Sequence, residues 1–80
     1  MKARIKITLK TGVLDPQGKA IEGALSALGF SGHSDVRQGK YIELDLAESD
    51  EANARAQIER MCKELLVNTV IENYSYEITR

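Results

Sequence analysis

Thr11-Gly12-Val13-Leu14-Asp15-Pro16-Gln17-Gly18-Lys19-Ala20 joins an alternating run to a helical one and holds the chain's only proline. Asp15 before Pro16 reads as a helix start. The carboxylate can accept free backbone N–H groups, and proline fits the first helical position, where its missing N–H costs nothing and its φ is already helical. Gly12 allows a sharp turn off whatever precedes it. Val13 and Leu14 are apolar inside a connection, so they are expected to pack on the chain's own core or on a partner. The stretch is therefore either a β-to-α connection or a recognition loop, and the two are compatible.

Upstream, Ala3, Ile5, Ile7 and Leu9 alternate with Lys2, Arg4, Lys6, Thr8 and Lys10. That period of two predicts a strand with one buried face. The cationic face needs acids opposite it, and Glu43, Asp45, Glu72 and Glu77 are the candidates. Downstream, Pro16 to Leu28 reads as a helix with Ala20, Ile21, Ala24, Leu25 and Leu28 as its apolar stripe. Gly18 and Gly23 weaken it by up to about 1 kcal/mol each relative to alanine. Two such weak points in a short helix suggest close approach by another backbone. Gly29 sits where a terminating glycine belongs.

Alternation resumes from Ser34 to Ala47 and is broken at Gln38-Gly39-Lys40, by a hairpin, a bulge or a sharp bend. Ser49 is the expected cap of a second helix, with Ala54, Ile58, Met61, Cys62, Leu65 and Leu66 as its core stripe and Asn68 at its end. Val70 to Ile78 predicts a last strand with Val70, Tyr74, Tyr76 and Ile78 in phase. One domain, residues 1–80, follows. Its expected fold class is α+β, a two-layer sandwich of ferredoxin-like βαββαβ order. An antiparallel sheet of three or four strands is covered on one face by two helices.

Composition excludes several functions. Eleven Lys and Arg against twelve Asp and Glu give a net charge of −1, without the basic face that nucleic acid requires. The first strand carries no aromatic residue on its polar face for stacking RNA bases. No apolar run reaches membrane-spanning length and the start is not signal-like. One cysteine, Cys62, forms no internal disulfide and fits a reducing, cytoplasmic setting. One His and one Cys make no metal site, and no Ser, Cys or Thr has a histidine base in evident reach. Gly12 and Gly18-Lys19 miss the phosphate-loop pattern: five residues separate the glycines, Ala20 follows the lysine, and Asp15 occupies the anion position. No catalytic, cofactor-binding or metal-binding residues are expected. An 80-residue chain has a modest core, so association is expected.

Three blocks carry a resemblance: Lys10-Thr-Gly-Val-Leu-Asp-Pro-Gln-Gly18, Val36-Arg-Gln-Gly-Lys-Tyr-Ile-Glu-Leu44 and Met61-Cys-Lys-Glu-Leu-Leu-Val-Asn-Thr-Val-Ile-Glu72. In this order and at this length the chain resembles the PurS subunit of phosphoribosylformylglycinamidine synthase. Thr69 departs from the family, which usually has proline there, and alters only the approach to the last strand. The resemblance implies a small non-catalytic subunit in de novo purine biosynthesis. It would form a homodimer, or a tetramer, and bridge the ATP-dependent synthetase PurL and the glutaminase PurQ while ammonia passes between them. ATP and Mg would then be used by the synthetase and no cofactor bound by this chain. By analogy with the motif positions, Lys10, Val13, Leu14, Gln17, Arg37, Gln38 and Lys40 are the expected partner contacts. The competing expectation is a stand-alone ferredoxin-like regulatory module that binds a small metabolite at a dimer interface.

Overall fold

The computed structural model describes all residues, Met1 to Arg80. Strand β1, Lys2–Leu9, is the centre of a three-stranded antiparallel sheet of order β2-β1-β3. Strand β2 is Gly39–Asp45 and β3 is Glu72–Thr79. The expected alternation is the observed one: Ala3, Ile5 and Ile7 are buried. Their neighbours across the sheet are Leu44, Ile42 and Lys40 on β2 and Ile78, Tyr76 and Tyr74 on β3. On the other face Arg4 lies between Glu43 and Glu77, and Lys2 opposite Asp45, as charge pairing requires. Glu72 does not join that face. It stands beside Leu9 at the sheet's end and pairs with Lys40 at 3.4 Å.

Helix α2, Glu51–Met61, crosses from the end of β2 back to the start of β3 and covers the apolar face. Ala54 and Ile58 are fully buried, and Ile58 joins Cys62, Val67 and the three β1 residues in the core cluster. Its cap is Asp50, whose carboxylate accepts the Ala52 N–H at 3.1 Å, in place of the expected Ser49. Glu48 accepts the Ser49 and Asp50 N–H groups just before the helix. Tyr74 Oη donates to Glu59 at 2.5 Å and Arg55 lies over the Tyr76 ring, so α2 is tied to β3.

Past Met61 the helix widens into a π-helical turn, Cys62–Leu66, closed by the Val67 N–H on the Cys62 carbonyl at 2.9 Å. The extra residue per turn rotates the stripe. Cys62 stays buried and Leu66 is half-buried, but Leu65 is 83 % exposed. The expectation of a core Leu65 rests on an unbroken 3.6-residue period and is corrected here. Val70 is likewise exposed, in the turn before β3.

Helix α1, Pro16–Ala27, has the predicted ends. Asp15 is its N-cap. At its C-terminus Gly29, at φ +92°, donates to the Ser26 carbonyl while Phe30 donates to that of Leu25, a paired closure that needs a left-handed residue. Its destination differs from expectation. Only α2 packs against the sheet; α1 makes no comparable contact with any strand, and Ala20, Ala24 and Leu28 of its stripe are among the residues left open to solvent or only half-covered. The topology gives the reason. β1 and β2 are adjacent and antiparallel, so their connection closes a hairpin and need not cross the sheet, whereas β2 and β3 flank β1 and require the crossover that α2 supplies. Helix α1 is inserted in the hairpin as an arm.

Ser34 to Gln38 forms no strand, and Asp35 adopts φ +50°. The expected hairpin or bulge at Gln38-Gly39 is instead the start of β2, and the sheet has three strands in βαβαβ order. The arm lengthens the molecule: its radius of gyration is 16.0 Å, against about 12 Å for a compact chain of this length. No helix is long and apolar enough to cross a membrane.

Candidate functional site

The root of the arm gathers the residues that the sequence singled out. Asp15 is 6 % exposed and each of its oxygens is used. Oδ1 accepts the Gly18 N–H at 2.8 Å, capping α1, and Oδ2 accepts the Gln38 N–H at 2.8 Å, one residue before β2. One carboxylate therefore fastens the first turn of the arm to the strand at its far end. The Gln38 and Gly18 N–H groups, with the Arg37 guanidinium nearby, hold the Asp15 carboxyl below its ordinary value.

The second fastening is Arg37, which donates to the Val13 carbonyl at 2.8 Å and lies 3.5 Å from Asp35. The third is between side chains: Gln38 Nε2 donates to Gln17 Oε1 at 2.7 Å. Gly18 is needed for this closure. A Cβ there would collide with the Val36 carbonyl oxygen, so the close approach expected of a helical glycine is found at Gly18. At Gly23 nothing lies within 4 Å.

Between the arm root and the sheet end lies a cleft of about 380 Å³, lined in part by Thr8, Asp15, Gln17, Gln38, Lys40 and Glu72. Of the seven expected contact residues, Gln17, Gln38 and Lys40 line this cleft, while Arg37, bonded to the Val13 carbonyl, lines a separate hollow with Leu14 that shares only Asp15 with it. Leu14 beside them is 71 % exposed. Lys10 is reached through its backbone: its N–H donates to the Ile71 carbonyl at 2.8 Å, and its own carbonyl accepts the Val13 N–H. Sequence reasoning assigned Glu72 to the cationic face of β1 and not to this corner, where it takes the Asn68 N–H at 2.7 Å and pairs with Lys40. The available signal was its parity, which sets it off the acidic face and on the Lys40 side.

Chemically the corner is largely saturated. Both oxygens of Asp15 are occupied by N–H donors, Lys40 pairs with Glu72, and the remaining groups are amides, a guanidinium and the Thr8 hydroxyl. The Asp15 and Glu72 carboxylates are both engaged by other groups. What it offers is an exposed leucine beside fixed polar groups, on backbone held from three directions.

The family model described as "PurS: Phosphoribosylformylglycinamidine (FGAM) synthase" matches residues 2–80. The chain belongs to the PurS family. The PurS subunit of phosphoribosylformylglycinamidine synthase from Synechocystis is 57 % identical over 76 residues, 95 % of this chain and 76 % of that protein. Among solved structures, Bacillus subtilis PurS superposes with a TM-score of 0.86 at 43 % identity, covering 99 % of this chain and 98 % of that one. A chain in the structure of PurLQS from Thermotoga maritima gives a TM-score of 0.86 at 32 % identity, covering 95 % and 93 %. The likeness spans the arm as well as the sheet, so the arm root is part of what the family shares in fold.

Proposed function

We propose that the chain is the small non-catalytic subunit of an FGAM synthase complex in purine biosynthesis, acting in the cytoplasm as a homodimer that bridges the synthetase PurL and the glutaminase PurQ. The observation that carries it is membership of the PurS family over nearly the whole chain, with a Thermotoga maritima PurLQS chain of the same fold. The arm root adds an exposed leucine beside polar groups held by hydrogen bonds, a surface of the kind that a partner can meet. ATP and Mg belong to the synthetase in this scheme, and this chain binds neither.

The physical task is to hold two enzymes so that ammonia released at one site reaches the other before solvent takes it. A dimer presents the same docking surface twice, related by a two-fold axis. We place that surface at Lys10, Val13, Leu14, Gln17, Arg37, Gln38 and Lys40. The corner is fixed by backbone hydrogen bonds before any partner arrives, so little ordering is left to be done on docking. Arg37 is the strongest single candidate, since its guanidinium both braces Val13 and reaches the surface.

The test is FGAM formation by PurL and PurQ with Arg37→Ala or Gln17→Ala protein, with glutamine or with free ammonia as the nitrogen source. The expected result is docking weakened by roughly tenfold, equivalent to about 1.4 kcal/mol. It appears as lost glutamine-dependent activity, while ammonia-dependent activity and the light-scattering mass of the variant are unchanged. Wild-type glutamine-dependent activity at limiting subunit concentration would remove these residues from the surface.

A further inference from the structure

Eight large apolar or aromatic side chains stand open to solvent. Ile21, Leu28 and Phe30 belong to the arm and its tip, and Tyr41 to the polar face of the sheet. The other four, Leu14, Leu65, Val70 and Ile71, gather at one end of the sheet, on segments that the backbone ties together. The Lys10 N–H donates to the Ile71 carbonyl at 2.8 Å, and the Val13 N–H to the Lys10 carbonyl at 3.1 Å. The loop that carries Leu14 is thereby bonded to the turn that carries Val70 and Ile71. Val67 and Asn68 join that turn to the π-helical turn that carries Leu65.

The turn itself is pinned. The Ile71 and Glu72 N–H groups donate to the Asn68 carbonyl at 3.1 and 2.8 Å, and the Val70 N–H to Asn68 Oδ1 at 3.2 Å. Glu72 Oε1 takes the Asn68 N–H, while Oε2 pairs with Lys40. Glu72 therefore belongs both to this turn and to the cleft beside the arm root, and the apolar patch continues that corner. Val70 is 81 % exposed on this fixed backbone. Leu65 is turned out by the π-helical turn, whereas an unbroken helix would face it to the core. Such turns are rare inside helices and occur often at functional sites.

We infer that this end face, formed by Leu14, Leu65, Val70 and Ile71, seats an enzyme of the assembly whose contact surface is apolar at its centre and carries carboxylates at its rim. The inference rests on the subunit reading above and adds a face that the sequence motifs left out. Single apolar residues are ordinary on a surface, whereas several on one patch mark an interaction site. The charges select what covers it. The acids on these segments are engaged, Glu64 by Arg60 and Glu72 by Lys40. Lys10 and Lys63, on the same segments, take no part in any of the chain's seven ion pairs. The uncompensated charge is positive, so the complementary rim is acidic. A second copy docking by this face would set the same lysines against each other. The backbone is already fixed, which leaves little ordering to be done on docking.

The test titrates each variant into PurL and PurQ and reads glutamine-dependent FGAM formation against subunit concentration, with light scattering and thermal melts alongside. Leu65→Ala and Val70→Ala are each expected to raise the half-saturating concentration by roughly tenfold, the effect of truncating one anchoring side chain. The saturated rate, the light-scattering mass and the melting temperature stay close to wild type. Arg80→Ala, at the opposite end of the sheet, leaves half-saturation unchanged. Added salt weakens wild-type docking more than that of Lys10→Gln, and equal salt dependence overturns the acidic rim. Wild-type half-saturation in both Leu65→Ala and Val70→Ala overturns the face, while a weakened Arg37→Ala in the same assay keeps the subunit reading. A fall in mass in either variant means that copies of this chain meet here, and overturns the enzyme as occupant. Activity of PurL and PurQ that is the same with and without this chain overturns the subunit reading and the face together.

Discussion

Ile58 and Leu65 stand seven residues apart, and an unbroken helical period would make them equal members of the core. In the structure Ile58 is 0 % exposed and Leu65 is 83 % exposed, because the π-helical turn rotates the chain between them. Truncation to alanine separates the two descriptions. Ile58→Ala removes three carbons, about 2.4 kcal/mol of transfer energy at 0.8 per methylene. The void left among Ile5, Ile7, Cys62 and Val67 adds a cavity term, giving about 3–4 kcal/mol, inside the usual span for such changes. An 80-residue domain has about 4–12 kcal/mol in all, so this one change removes a large share. Leu65→Ala removes the same number of carbons from water-exposed chain and should cost less than about 0.5 kcal/mol. Urea unfolding followed by far-UV circular dichroism reads both, with Ile58→Ala lowering the thermal midpoint by about 4–8 °C per kcal/mol as a second measure. Equal costs at the two positions would refute the π-helical turn. A cost at Ile58 below about 1 kcal/mol would refute the assignment of the core.

Three more outcomes are expected. Gly18→Ala should destabilise the protein, because its Cβ meets the Val36 carbonyl oxygen, whereas Gly23→Ala should stabilise the isolated helix by about 0.5–1 kcal/mol; thermal melts that rank them the other way would contradict the clasp. Asp15 has a folded-state value below its ordinary 3.8, so its contribution is present above that value and is lost as pH falls through the folded one. The urea midpoint of wild-type protein should therefore drop more between about pH 5 and about pH 2, the acid span over which a lowered carboxylate loses its contribution, than that of Asp15→Asn, and parallel curves would sink the assignment. Tyr74 is pushed up to about 12 by its hydrogen bond to Glu59, so its stabilising effect is complete below the ordinary phenol value of 10.0 and fades as pH rises towards 12. Ultraviolet titration should lose its latest-ionising step in Tyr74→Phe, and retention of that step would assign it to another phenol.

Much of the fold is written in short-range patterns. The alternation of Lys2 to Lys10 gives β1 and its buried face, and Asp15-Pro16 with Gly29 gives both ends of α1. What these patterns do not carry is destination. An apolar stripe on α1 states that the helix must be covered, not by which chain, and the arm's position follows from β1 and β2 being adjacent and antiparallel, a pairing of residues more than thirty apart. Leu65 escapes the pattern for a related reason: the π-helical turn has no composition of its own, so a period of 3.6 runs straight through it. Ser34 to Gln38 alternates without forming a strand because Asp35 at φ +50° interrupts the extended run. At the site, the loop and Arg37-Gln38-Gly39-Lys40 are visible as separate motifs. Their meeting depends on Asp15 accepting the Gln38 N–H across twenty-three residues, which no local pattern encodes.

That bond ties the fold to the proposed function. Gln38 is the last residue before β2 and Gly18 lies in the first turn of α1, so Asp15 sets the angle between arm and sheet and at the same time shapes the corner lined by Gln17, Gln38 and Lys40. The direction of the arm and the shape of the corner are then set by one carboxylate. Neutralising Asp15 without changing its shape should loosen arm and corner together, since the amide introduced by Asp15→Asn would set its own N–H against one of the two N–H groups that the carboxylate now accepts. Amide hydrogen exchange in Asp15→Asn should quicken at Gly18 and at Gln38 alike, and quickening at one without the other would show that arm and corner are set independently.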